Sequence, residues 1–212
     1  MQPMQATRLI VIRHGETAWN VDTRIQGHRD IALNETGVQQ ARAAAQALAD
    51  EAIAAIYASD LQRAWMTAQA IAQRSGAPLT ADPALRERSF GDFEGHTHTE
   101  LAQRWPDAVQ RWRERDPHWQ PPGGESLSAM RARVAAALHR LAAQHVGEQI
   151  VLVAHGGVLD QWYRLATGLD LQAPRTWALG NAAINRLLWT PESLTLVGWA
   201  DAGHLQTLAD LG

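Results

Sequence analysis

The sequence predicts an α/β protein built on a mainly parallel sheet, with an antiparallel edge and a small inserted lid. Three features carry that expectation. Two short, wholly apolar, β-branched runs at 9–12 and 150–153 each lead into a His-Gly pair, His14 with Gly15 and His155 with Gly156. Helical patterns separate such runs, and units of strand, helix and strand build parallel sheets with right-handed crossovers. Residues 183–189 and 193–199 flank the turn Thr190, Pro191, Glu192 and read as a hairpin.

In chain order, the run at 9–12 is a buried strand, because continuous apolar stretches of this length suit strands covered on both faces. Residues 37–51, rich in Ala and Gln, form the first helix candidate. The run at 53–57 is a second strand; Ser59 then stands where it can cap a helix over 61–74, with Gln62 closing a capping box. Residues 86–125 differ in texture, carrying Trp105, Trp112 and Trp119, several Arg, the turn Pro-Pro-Gly-Gly at 121–124 and one short helix at 99–105. That stretch reads as an insertion or lid. After Ser126, the residues Leu127, Met130, Val134, Leu138 and Leu141 recur at three- and four-residue steps, as one helical face does. The run at 150–153 is a third buried strand, and the hairpin beyond Leu171 closes the sheet with an antiparallel edge.

A length of 212 residues suits one domain over 1–212, with the insertion at about 86–125, better than two. With 46% hydrophobic and 19% charged residues the chain can bury a sizeable core. All nineteen basic residues are Arg, which excludes Schiff-base chemistry and the lysine-bearing P-loop; an anion here must be held by Arg, His or backbone N–H groups. The absence of Cys removes disulfides, thiol nucleophiles and thiolate metal sites. A net charge of −3 gives no general attraction to nucleic acid or to an anionic membrane. The first apolar run is too short for a signal peptide or a membrane span, so a cytoplasmic protein is expected.

In open α/β sheets, ligands bind beyond the carboxyl ends of the strands, at helix amino termini. Arg13, His14, His155 and the turn 59–63 with Arg63 all map to that edge. Two arginines, two imidazoles and the N–H groups of Gly15 and Gly156 suit a phosphoryl group, because Arg binds it bidentately and its oxygens need fixed positive partners. A neutral imidazole can attack phosphorus and form a phosphoramidate that water later cleaves. The leaving oxygen then needs an acid, and Glu87, expected in a Trp-rich and partly dry pocket, is the candidate.

Together, Arg-His-Gly-Glu-Thr at 13–17, Trp19 with Asn20, Arg-Ile-Gln-Gly at 24–27, Ser-Asp-Leu-Gln-Arg at 59–63, Leu-Arg-Glu at 85–87 followed by Gly91 and Glu94-Gly95, Gly-Glu-Ser at 124–126 and Ala-His-Gly at 154–156 resemble the histidine phosphatase superfamily. The branch holding cofactor-dependent phosphoglycerate mutases and small bacterial phosphatases is the nearest. The resemblance implies a mainly parallel α/β/α sandwich with a variable insertion before the last helical crossover, and no metal. It implies His14 as phosphorylated nucleophile, Arg13, Arg63 and His155 as holders of the phosphoryl group, and Glu87 as proton donor and then base. Asn20 would add a hydrogen bond to the phosphoryl oxygens, and Gln26 and Gly27 would line the substrate pocket.

Competing readings attach to several residues. Arg63 could pair with Asp60, and Glu87 could form an ion pair with Arg86 or Arg88, while Glu16 and Glu94 are rival carboxylates. His96 and His98 look like a metal pair in isolation but lack a third ligand nearby. His139 and His145 are expected at the surface, and His204 near the site mouth. The three lid tryptophans read as core, and Arg111, Arg113 and Arg115 as a solvated face. For function, a phosphatase acting on a small phosphorylated metabolite is set against a mutase, which would need a bisphosphoglycerate primer, and against an idle phosphate-binding module. The resemblance implies that mutases carry a lysine after the acid motif and a longer insertion; this chain has no lysine. The pair of arginines at Arg113 and Arg115 keeps the mutase reading open.

Overall fold

The computed structural model describes residues 6–206. In chain order it contains β1 (Thr7–Arg13), α1 (Ala18–Val21), α2 (Glu35–Ala47), β2 (Ala55–Ala58), α3 (Gln62–Ser75), β3 (Leu79–Ala81), α4 (His98–Arg104), α5 (Pro106–Arg113), α6 (Leu127–Ala143), β4 (Gln149–Ala154), α7 (Gly156–Thr167), β5 (Ile184–Thr190) and β6 (Ser193–Asp201). Short 3-10 turns occupy Pro83–Leu85, Gly91–Phe93 and Gly203–Leu205. The six-stranded sheet runs β3-β2-β4-β1-β5-β6. Its first four strands are parallel, and β5 and β6 add the antiparallel edge.

Alternation along the strands divides the core into two layers. Leu9 and Val11 of β1 and Ile150 and Leu152 of β4 pack with Val134, Leu138 and Leu141 of α6 and Trp162 of α7. Ile10, Ile12, Val151 and Val153 point the other way, onto Ala45 of α2 and Ala64, Ala68 and Ile71 of α3. Because β1 and β4 are covered on both faces, their sequences are continuously apolar rather than alternating. Trp162 is fully buried and donates its indole N–H to the Val134 carbonyl at 3.0 Å, tying α7 to α6.

Residues 86–125 contribute no strand. Their apolar side chains join Ile25 in a separate cluster in which Ile25, Phe93, Leu101 and Val109 are buried against Phe90, Trp105, Trp112 and Trp119. Two helices lie there rather than the single one expected: α4 opens on a capping box of Thr97 with Glu100, and α5 begins at Pro106. The three-residue strand β3 and the one-turn α1 also escaped sequence reading, being too short for a periodic signal. The helix anticipated over 37–51 spans Glu35–Ala47, capped by the Asn34 side chain on the Gly37 N–H.

The expected capping box at Ser59 does not form. The N-cap of α3 is Leu61, and the Ser59 hydroxyl instead accepts the Leu61 N–H at 3.3 Å. The first turn of α3 is satisfied from a distant loop, where Asp30 accepts the Gln62 N–H at 2.7 Å and the Gln62 side-chain amide at 3.1 Å. His145 is likewise more than a surface residue: one ring nitrogen meets the Tyr57 hydroxyl at 2.8 Å and the other the Glu148 carboxylate at 2.7 Å. His139 is exposed, yet it accepts the Trp189 indole N–H at 2.7 Å.

Candidate active site

Register places the candidate residues together. Arg13 pairs with Ala154 across β1 and β4, and Ala58 of β2 is one rung away beside Val153, so His14, Ser59 and His155 all follow strand ends at the same sheet edge. The His14 N–H continues the ladder by donating to the Ala154 carbonyl at 3.0 Å.

The His14 ring is buried, and its Nδ1 lies 2.7 Å from the Gly15 carbonyl oxygen. A carbonyl only accepts, so Nδ1 carries the proton and Nε2 keeps its lone pair. Burial holds the ring pKa well below the ordinary histidine value, and the charges of Arg63 and Arg13 push the same way. The ring is therefore neutral near pH 7. His155 is fully buried and is depressed for the same reasons, burial first and then Arg63, His14 and Arg13. The two ring centroids are 5.3 Å apart.

Arg63 is fully buried, and two backbone carbonyls aim its guanidinium: Nη1 donates to Arg29 and Nη2 to Gly27, each at 2.8 Å. Burial lowers its pKa to about 10, against the opposing pull of Glu87 and Asp30, so it remains a cation. It does not pair with Asp60, which is occupied by the Arg86 guanidinium at 2.7 Å. Arg13 donates through Nη1 to the Leu179 carbonyl. Arg13 Nε, Arg63 Nε and both ring nitrogens of His155 are buried without a protein hydrogen-bond partner. Buried polar groups of this kind are normally satisfied, and a tetrahedral oxyanion offers acceptors on every side.

Glu87 follows the 3-10 turn Pro83–Leu85. Its Oε2 accepts the Gly157 N–H at the start of α7 at 2.9 Å, and its Oε1 accepts the Arg88 N–H at 2.8 Å. Its charge is felt at both Arg13 and Arg63. The suggested ion pairs with its neighbours do not form, since Arg86 is spent on Asp60 and Arg88 Nε donates to the Glu125 carbonyl at 2.7 Å. Nor is the pocket Trp-rich. Trp105, Trp112 and Trp119 surround Phe93, while Glu87 approaches Gly157 so closely that a Cβ there would stand 2.2 Å from its carboxylate.

The remaining candidates brace this cluster. Asn20 Oδ1 accepts the Thr17 N–H at 3.0 Å, and Gln26 Oε1 accepts the Thr17 hydroxyl at 3.0 Å. Gly27 adopts φ 51°, and a Cβ there would meet the Glu94 carboxylate at 2.1 Å; this conformation presents its carbonyl to Arg63. Gly156 opens α7, with ordinary contact distance to Arg13. The rival carboxylates are engaged elsewhere: Glu16 accepts from Asn34 Nδ2 at 2.8 Å, and Glu94 from the N–H groups of His28 and Phe90 at 2.9 and 3.0 Å. His98 stacks on Trp112 at 5.0 Å and His96 packs edge-on to Trp105 at 5.5 Å. Among the described residues no group of three His, Asp or Glu side chains is placed to hold a metal ion.

Sequence reasoning missed Asn181, whose Nδ2 donates to the His14 carbonyl at 2.9 Å, and Thr67, whose hydroxyl accepts the Gly15 N–H at 3.0 Å. It also missed Gly157; the tandem Gly-Gly after His155 was the available signal. His204 accounts for itself by lying 3.0 Å from the carbonyl of Ala182, the residue whose own N–H donates to the Arg13 carbonyl at 2.9 Å.

The sequence model of the histidine phosphatase superfamily (branch 1) matches residues 9–202. The chain belongs to this superfamily. This histidine phosphatase is 38% identical over 202 residues to phosphoglycerate mutase-like protein 4 of Arabidopsis thaliana, covering 93% of this chain and 86% of the relative. It is 36% identical over 210 residues to the metal-independent phosphoserine phosphatase of the same plant, covering 98% and 87%. Its fold matches the mycobacterial glucosyl-3-phosphoglycerate phosphatase complexed with VO3 at a TM-score of 0.82 and 34% identity, over 92% of this chain and 99% of that one. The three-layer α/β/α architecture expected from the sequence is the one observed.

Proposed function

We propose that this histidine phosphatase hydrolyses the monoester of a small phosphorylated metabolite through a phosphohistidine on His14, without a metal ion. The observation that carries the reading is the His14 tautomer: Nδ1–H is committed to the Gly15 carbonyl, which leaves Nε2 as a lone pair beside buried, unpartnered Arg13, Arg63 and His155 nitrogens. In the first step Nε2 bonds to phosphorus as the ester P–O bond breaks, and the acid form of Glu87 gives its proton to the departing oxygen. Positive charge appearing on the imidazole is met by the Gly15 carbonyl, while Arg13 and Arg63 face the phosphoryl oxygens. In the second step water bonds to phosphorus, its proton passes to Glu87 and the P–N bond breaks, which restores His14 and releases phosphate.

Arg13 and Arg63 supply the fixed positive charge that a metal would otherwise provide, and the name of the plant relative agrees with metal independence. The relatives named for phosphoserine and glucosyl-3-phosphoglycerate support a small metabolite as substrate. Residues 1–212 are read as one domain, with 86–125 as its lid. A phosphoryl shift within phosphoglycerate is less well supported. Arg113 is exposed, and Arg115 is bound to the Leu171 carbonyl at 2.7 Å and Asp160 at 3.3 Å.

The test is rapid acid-free quenching with a phosphate-labelled substrate. Label should appear on the peptide containing His14, stable in base and lost in acid, and His14→Ala should remove both label and turnover. Wild-type turnover in His14→Ala would overturn the reading.

A further inference from the structure

Glu87 must be aimed as well as present, and its carboxylate hangs on a backbone N–H of its own neighbour. The Arg88 N–H that binds Glu87 Oε1 shares one planar peptide unit with the Glu87 carbonyl. Whatever fixes the direction of that carbonyl therefore fixes one of the two N–H donors that hold the carboxylate, the other being that of Gly157. Two side chains reach the Glu87 carbonyl: His28 Nε2 at 2.9 Å, and Arg133 Nη2 at a longer 3.4 Å. Arg133 is spread over the Ala84 and Arg86 carbonyls and the Glu125 carboxylate as well.

His28 is itself held. Its N–H donates to Glu94 Oε1 at 2.9 Å, and the same oxygen accepts the Phe90 N–H at 3.0 Å, so one largely buried carboxylate joins the 26–29 loop to the 87–90 segment. The 26–29 loop also supplies the Gly27 and Arg29 carbonyls that aim Arg63.

We infer that His28 is a positioning residue for Glu87, its ring Nε2–H orienting the 87–88 peptide so that the carboxylate is presented to the leaving-group oxygen. The inference rests on the proposed role of Glu87 as acid. It makes His28 the link through which the loop that sets Arg63 also sets the proton donor, so that phosphoryl binding and proton transfer share one scaffold.

The test compares an alkyl phosphate with p-nitrophenyl phosphate, whose leaving group departs without a proton. His28→Ala should lower kcat on the alkyl phosphate by ~10- to 10²-fold, the scale of a misplaced catalytic group, and leave p-nitrophenyl phosphate near wild type. His28→Gln, which keeps an N–H donor, should recover most of the loss, whereas His28→Leu, which keeps bulk without a donor, should not. In a Glu87→Gln background, His28→Ala should add little further loss. An equal loss on both substrates, or no loss on either, overturns the inference while Glu87 stands. If Glu87→Gln itself shows no dependence on the leaving group, the acid role fails and the positioning role falls with it. His28→Leu serves in place of the alanine variant should that one fail to fold.

Discussion

The His14 and His155 rings lie 5.3 Å apart between centroids and are tilted by 58°, each one residue beyond a paired position of two adjacent parallel strands. Two like imidazoles can share so small a space beside two guanidinium groups only while both are neutral, and burial keeps them so.

That neutrality makes stability depend on pH. Both rings have pKa values in the folded chain below the ~6.5 of an unfolded histidine. Below about pH 6.5 the unfolded chain takes up protons that the folded one refuses, so the stabilisation present above that pH is lost as the pH falls. Two such groups give at most ~3 kcal/mol per pH unit. Urea midpoints measured from neutral to mildly acidic pH should fall accordingly, and a His14→Gln, His155→Gln double variant should flatten the profile. An equally steep profile in the double variant would disprove it.

Glu87→Gln should cost ~10²- to 10⁴-fold in kcat on alkyl phosphates, whose leaving groups need a proton, and far less on aryl phosphates. A uniform loss across leaving groups would assign Glu87 a structural part only. The same charge-removing change at Glu16 should show no dependence on the leaving group, because its carboxylate is bound to the Asn34 side chain.

Two glycines should separate stability from activity. A Cβ on Gly37 would stand 2.0 Å from the Glu16 carbonyl oxygen, which is backbone and has nowhere to go. Gly37→Ala should therefore destabilise the fold by ~1–3 kcal/mol in chemical denaturation. A Cβ on Gly157 meets instead the side-chain end of Glu87, at 2.2 Å. Gly157→Ala should unfold near the wild-type midpoint yet lose turnover on alkyl phosphates; the reverse pattern would contradict the placement of Glu87.

Activity should persist after exhaustive chelation if, as proposed, Arg13 and Arg63 supply the positive charge that a metal would otherwise bring to the phosphoryl group. Loss on chelation that a single divalent ion restores would refute this.

Much of the architecture is local in origin and so was legible in sequence. The runs ending at His14 and His155 read as buried strands because a strand covered on both faces has no polar face to show, and the helix over Leu127–Ala143 declared itself by its 3.6-residue period. Together with the run at 53–57 and the turn after it, those assignments put Arg13, His14, Arg63 and His155 at one sheet edge. What holds them is not local. The α3 amino terminus is capped by Asp30 rather than by Ser59, Arg63 is aimed by the Gly27 and Arg29 carbonyls, and Glu87 is bound by the N–H of Gly157. The aromatic residues gather on Phe93 instead of enclosing Glu87. Periodicity and capping signals reach about four residues along the chain, whereas these partners lie between 32 and 70 residues apart, so hydrogen-bond choice among them is made only when the sheet brings the loops together.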